Sequence, residues 1–165
     1  ALQRGAAEVV SVEQSRQAQE IHRKNLSLNG LNDGRDRLVC SDVFRFLANL
    51  EDKDKFDLII IDPPCMASKM TQVPMALKKL EQLHYLALSH LNDESLWFSI
   101  SCTARFTYED LVSSVGKASK SIFGKGKTQI AEVISEEVDH TTIKCFPEGR
   151  YLNQVLFANF KLKIK

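Results

Sequence analysis

Acids and thiols recur at the ends of apolar, strand-like runs in this chain. "AEVVSVE" (7–13) finishes on Glu13, and "RLVCS" (37–41) is followed by Asp42. "FDLIIIDPPCMASK" (56–69) delivers Asp62, two prolines and Cys65, and "SLWFSISC" (95–102) delivers Cys102. Such strand tips are where open α/β sheets gather their ligands. Taken singly, each is weak, because Asp and Ser are also common helix caps. Four in register carry more weight. Glu13 at a strand tip can accept both hydrogen bonds of a ribose diol, and Asp42 can accept from an adenine amino group. Together they point to an adenosine-containing cofactor lying across the tips. Pro63 and Pro64 hold the corner after Asp62 without regular backbone pairing. A corner so held can present a carboxylate and a carbonyl to a planar, amine-bearing ring. Cys65 and Cys102 fall in polar strand-end loops, where a thiolate can be exposed and activated as a nucleophile. Isolated thiols are more often packing residues, and Cys40, in mid-strand, and Cys145 are read that way.

The elements that would position these groups alternate. After the first strand, "SRQAQEIHRKNLSLNGL" reads as a helix capped by Ser15, with Ala18, Ile21, Leu26 and Leu28 as its apolar side and Asn29-Gly30 as a left-handed stop. "VFRFLANL" is a second helix. "FDLIIID" is continuously apolar, as a strand covered on both faces should be. A leucine-rich helix spans "TQVPMALKKLEQLHYLALSHL", and "YEDLVSSVGKASKSIF" is the last helix. "TQIAEVISEEV" and "LNQVLFANFKLKI" close the chain as two strands around the turn region "DHTTIKCFPEGRY". This order predicts an α/β fold with a mostly parallel, doubly wound sheet and an antiparallel C-terminal hairpin.

Bulk properties narrow the function. The 165 residues suit one domain with a real core, of ordinary globular composition at 44% hydrophobic and 26% charged. A net charge of +1 gives no basic footprint of the kind nucleic-acid binders often carry. The four cysteines lack paired short spacing, so neither a zinc knuckle nor a disulfide scaffold is indicated, and a cytoplasmic chain with reduced thiols is expected. No apolar run approaches a membrane span. His22, His84, His90 and His140 have no metal-ligand spacing. No GxGxxG occurs. "SIFGKGKT" (121–128) fails as a phosphate loop, because Ser121 stands where its first glycine belongs and a helix precedes it.

"VVSVEQS", "CSDVFRFL", "FDLIIIDPPCMASK", "FSISCT" and "DHTTIKCFPEGRYL" occur in the order found in class I S-adenosylmethionine-dependent methyltransferases. They most resemble the family that makes 5-methylcytosine in bacterial large-subunit ribosomal RNA, whose members often carry an N-terminal PUA domain. The resemblance covers nearly the whole chain and implies a Rossmann-like fold, S-adenosyl-L-methionine as cofactor and RNA as substrate. It implies that Glu13 holds the cofactor ribose, that Asp42 and Val43 contact adenine, and that Gln14 and Pro63 join the cofactor-binding set. By the same resemblance Asp62 would bind the target base and also border the cofactor. Cys102 would be the nucleophile and Cys65 an assisting thiol.

Two departures qualify the resemblance. Cys65 and Met66 stand where that family usually has a basic residue and an aromatic. Asp-Pro-Pro-Cys is closer to the two-cysteine RNA cytosine methyltransferases, so the division of labour between Cys65 and Cys102 stays open. The first strand with its glycine-rich loop, and the PUA domain, are expected to be missing from this chain, because "ALQRGAAEVV" resembles the part just downstream of them. The expectation is therefore a partial methyltransferase domain over 1–165 that self-associates, as a homodimer for example. Two other readings stand beside it: methylation of an exocyclic amine or ring nitrogen, which needs no thiol, and a non-catalytic RNA-binding remnant.

Overall fold

The computed structural model of the chain describes residues 1–124, 128–134 and 152–159. The turn region at 139–151, with His140 and Cys145, and most of the "FGKGK" loop lie outside the described residues. The residues gather into two compact units, Ala1–Glu51 and Asp52–Lys165.

In the first unit, β1 (Val9–Val12) pairs in parallel with β2 (Asp36–Val39), Val9 opposite Asp36 and Val12 opposite Val39. Between them runs α1 (Arg16–Leu28). Ser15 caps it as predicted, its hydroxyl accepting from the Ala18 amide at 3.2 Å. Gly30 (φ 65°) takes the left-handed turn that ends it. The predicted apolar side of α1 is not its buried side. Ala18, Ile21 and Leu28 are exposed, whereas Gln19 is buried and donates to the Glu13 carbonyl at 2.9 Å. That bond satisfies a backbone group at the β1 tip, so the helix docks through a polar residue. A short α2 (Val43–Ala48) follows β2.

The second unit is built on a four-stranded sheet in the order β3-β4-β6-β5. Its strands are β3 (Phe56–Ile61), β4 (Leu91–Ser101), β5 (Thr128–Ile134) and β6 (Asn153–Asn159). β3 and β4 are parallel; β6 runs antiparallel to both β4 and β5. The predicted antiparallel finish is therefore present, with β6 inserted between β4 and β5. Along β4 the side chains of Ser95, Trp97, Ser99 and Ser101 are buried, one face of a pleated strand. Trp97 stacks on Phe157 of β6 at 4.9 Å. They pack with Leu80 and Leu88 of α3 (Val73–Leu88) and Leu111 and Val115 of α4 (Tyr108–Phe123). α4 starts in a reciprocal cap: Thr107 Oγ1 accepts from the Asp110 amide and the Asp110 carboxylate from the Thr107 amide.

Two further expectations are corrected in these units. Among the described residues β3 is covered on one face only: Leu58 and Ile60 are 46% and 58% exposed, because α3 and α4 pack on the opposite side of the sheet. Cys40 is exposed rather than packed in mid-strand. β2 ends at Val39, two residues before the predicted end at Ser41, so Cys40 lies outside the strand; its thiol donates to the Gln14 carbonyl at 3.6 Å.

Candidate active site

Parallel pairing of β3 with β4 sets Ile61 opposite Ser99, so the next residues of both strands emerge from the same sheet end. Asp62, the two prolines and Cys65 leave β3; Cys102 leaves β4 directly after Ser101. The corners touch. The Cys102 thiol donates to the Pro63 carbonyl at 3.7 Å, and the Met66 amide donates to Thr103 Oγ1 at 3.0 Å. Pro63 and Pro64 have no amide to give, so the loop is fastened at its other groups. Its far side is held by the Gln72 amide oxygen, which accepts from the Ser68 and Lys69 amides, each at 3.0 Å. Asp62 and Cys65 are exposed and Cys102 is half-buried.

This setting opposes ionisation of Cys102. Partial burial pushes its pKa above the ordinary thiol value, and negative charge at Cys65 and Asp62 pushes the same way; its own backbone amide works in the opposite sense. The resting nucleophile candidate is a protonated thiol. Cys65 donates to the Ala67 carbonyl at 3.7 Å.

The first unit presents the other predicted residues. Glu13 follows β1 and Asp42 follows β2, both exposed. Glu13 Oε1 accepts from the Ser15 amide at 2.6 Å, and the Glu13 amide donates to the Val39 carbonyl at 3.0 Å, fixing the tip of β1 against β2. Asp42 caps α2, Oδ1 accepting from the Arg45 amide at 3.1 Å, so its helix-capping reading holds; its second carboxylate oxygen leaves acceptor capacity. Val43 opens α2 and Gln14 supplies the carbonyl taken by Cys40.

Three further polar groups of the second unit bear on the corner. Thr103 and Ser101 are buried side chains between the thiol loop and the sheet. His84 is buried between Ser114 Oγ (2.9 Å) and Ser99 Oγ (2.8 Å), joining α3, α4 and β4. The string "SCT" hints at the first pair; nothing local marks the histidine.

Comparison with known proteins defines the class first. A Streptococcus mutans protein assigned as a SAM-dependent methyltransferase superposes with a TM-score of 0.76 at 20% identity, over 93% of this chain and 39% of that one. SMU.776, assigned as a methyltransferase and solved in complex with SAH, gives 0.74 at 23% identity, over 93% of this chain and 40% of that one. The fold is that of the Rossmann-like methyltransferases. Residues 1–142 match the family model described as Conserved hypothetical protein 95, and the chain belongs to that family. It is 33% identical over 153 residues to "Ribosomal RNA large subunit methyltransferase I" of Escherichia coli K12, over 92% of this chain and 38% of the relative. The chain thus spans about two fifths of the length of the curated relatives it matches.

Proposed function

We propose that this chain is the catalytic part of an S-adenosyl-L-methionine-dependent RNA methyltransferase that forms 5-methylcytosine in ribosomal RNA, with Cys102 as nucleophile and Cys65 assisting product release. One observation carries the reading: β3 and β4 bring the Asp-Pro-Pro-Cys and Ser-Cys corners into hydrogen-bond contact, Cys102 against Pro63 and Thr103 against Met66. An acid, a carbonyl and two thiols in one corner suit a flat ring with an exocyclic amine. The similarity to a ribosomal RNA methyltransferase supports the substrate class. Reduced thiols suit the cytoplasm.

The residues present fit an adenosine cofactor. Glu13 and Asp42 are exposed carboxylates after two paired parallel strands, each using one oxygen locally and keeping acceptor capacity for a ribose diol and an adenine amine. Gln14 and Val43 complete the candidate set of the first unit; Pro63, in the second unit, is added to the candidate residues by the family resemblance alone. When bound, S-adenosyl-L-methionine supplies an electrophilic methyl group. Cytosine carbon 5 is a poor nucleophile, which is why a protein thiol is needed. The target base is unstacked into the corner. Cys102 gives its proton to water and, as the thiolate, forms a bond to ring carbon 6; the carbon 5–carbon 6 π bond opens and its electrons make carbon 5 nucleophilic. Asp62 accepts from the exocyclic amine. After substitution at carbon 5, its proton leaves to a base, and elimination breaks the Cys102–carbon 6 bond.

RNA containing 5-fluorocytosine tests this, because fluorine at carbon 5 blocks the final elimination. The intact protein should form a covalent adduct that maps to Cys102, and Cys102→Ala should form none and methylate nothing. Methylation without any adduct would overturn the thiol mechanism. It would favour the second reading, methylation of an exocyclic amine or ring nitrogen. One observation supports that alternative: the raised pKa of Cys102 makes it a reluctant nucleophile at neutral pH.

A further inference from the structure

Residues 101–103 follow the alternation of the strand they leave. Ser101 and Thr103 are each 1% exposed, while Cys102 between them turns toward the half-open corner. Each buried neighbour is engaged. Ser101 Oγ accepts from the Thr103 amide at 3.3 Å, and the Thr103 carbonyl accepts from the Phe106 amide at 2.9 Å. The Phe106 carbonyl in turn accepts from Asn153 Nδ2 of β6 at 3.1 Å. The segment carrying Cys102 is thereby anchored to the sheet on both sides. Thr103 Oγ1 has one further partner, the Met66 amide at 3.0 Å, and Met66 directly follows Cys65. This bond is the fastening nearest to Cys65 on the loop that carries it. A second fixes Pro63, three residues from Met66, against Cys102 itself.

We propose that Thr103 is a positioning residue that sets the separation of the two thiols, using its side-chain oxygen to hold the Cys65 loop against the Cys102 segment. The assignment deepens the proposed function and rests on it for the roles of the two thiols. Chemically, the hydroxyl matters as an acceptor: the Met66 amide has no other described partner, so an isosteric methyl in its place leaves that N–H unpaired and the loop unfastened. Thr103→Val retains the shape and loses the acceptor; Thr103→Ser keeps the acceptor and loses a methyl group. Reactions that need two groups in register fall steeply with small displacements, by up to about a hundredfold for 1 Å. A loop released at one of its fastenings should therefore show a loss of about tenfold in any reaction that uses both thiols.

The test is bridging of the two thiols by a short bifunctional alkylating agent, with the bridged Cys65–Cys102 peptide followed by mass spectrometry in the intact protein without RNA. Wild type and Thr103→Ser should bridge at equal rates. Thr103→Val should bridge about tenfold more slowly, while monofunctional iodoacetamide modifies each thiol at its wild-type rate. Equal bridging in Thr103→Val, an equal defect in Thr103→Ser, or no bridging in the wild type would each overturn the proposal. Thr103→Val that fails to fold is recognised by altered iodoacetamide rates at both thiols; in that case Thr103→Asn, which keeps an acceptor oxygen, must bridge faster than Thr103→Ala, and equal rates overturn the proposal. Because no RNA is present, the outcome separates from the identity of the nucleophile, which the 5-fluorocytosine adduct reads on its own.

Discussion

His84 makes the stability of the second unit sensitive to mild acid, by an amount that follows from its surroundings. The imidazole is buried completely, and its described hydrogen-bond partners are two hydroxyls, Ser114 Oγ and Ser99 Oγ. Either hydroxyl can donate or accept, so the bonds tolerate a proton on the ring; what opposes it is desolvation, which lowers the pKa from 6.5 to about 3. The unfolded chain takes up a proton near pH 6.5 and the folded unit does not until about 3. Stability from this residue is therefore complete above 6.5 and is lost as the pH falls through that window, at about 1.4 kcal/mol per pH unit. Between pH 7.5 and pH 5 the loss is about 2 kcal/mol, or about 1 M in urea midpoint at a slope of about 2 kcal/mol/M. His84→Gln removes the titration but also disturbs two buried hydrogen bonds, which costs about 1–3 kcal/mol at pH 7.5. The gap between wild type and variant should then shrink by about 2 kcal/mol on going to pH 5. Carboxylates titrate in both proteins and cancel in the difference. Trp97, the single tryptophan, is buried on Phe157 in the same unit, so urea unfolding followed by its fluorescence reads the relevant transition. A gap that stays constant from pH 7.5 to pH 5 would rule out a buried imidazole that stays neutral in the folded unit.

Two further outcomes follow from the candidate site. The iodoacetamide alkylation rate of Cys102 should keep rising beyond the ordinary thiol value of 9.0, and Asp62→Asn, which removes one of the opposing charges, should move the profile to lower pH. A profile centred below 9, or unmoved in Asp62→Asn, would sink the electrostatic account. Glu13→Gln keeps an oxygen for the Ser15 amide but gives up the charge, so it should weaken S-adenosyl-L-methionine binding about tenfold, as expected for one charge-assisted hydrogen bond. Titration calorimetry on the intact protein measures this, and an unchanged dissociation constant would remove Glu13 from the cofactor site.

Where local rules and tertiary packing agree, the sequence is legible. Ser15 and Gly30 bound α1 because a cap and a left-handed turn are decided by neighbours a few residues away. β3 ends at Ile61 because an acid and two prolines stop it. The two thiol corners could be paired from sequence because consecutive parallel strands deliver their tips to one side. Legibility fails where distance in sequence hides contact in space. β4 begins at Leu91, four residues before the apolar run at Ser95, because Asn92–Glu94 are polar and Glu94 takes φ 59° at an irregularity opposite Phe56 and Leu58. The link through Ser99, His84 and Ser114 spans three elements with no common periodicity. α1 and β3 mislead in the same way: an apolar residue type states a preference for burial, and whether a partner covers it is decided elsewhere in the fold.

The charge arrangement around Cys102 bears on how the proposed chemistry is switched on. Many nucleophilic cysteines are activated by a neighbouring cation or a helix N-terminus. In this corner the neighbours are an acid and a second thiol, and both favour the protonated form. A permanently ionised sulfur in a half-open corner would be open to oxidation and alkylation. On the proposed reading the target base supplies what the free protein lacks. Its exocyclic amine donates to Asp62 and offsets part of the negative charge there. That weakens the repulsion that holds Cys102 protonated and so lowers the thiol pKa. Ionisation and base binding are then linked, so the sulfur becomes reactive when a ring is in place to receive it. The predicted response to Asp62→Asn isolates the first half of this linkage. Removing the charge should make the free thiol more reactive, while the same change should impair methylation by removing the group that holds the base.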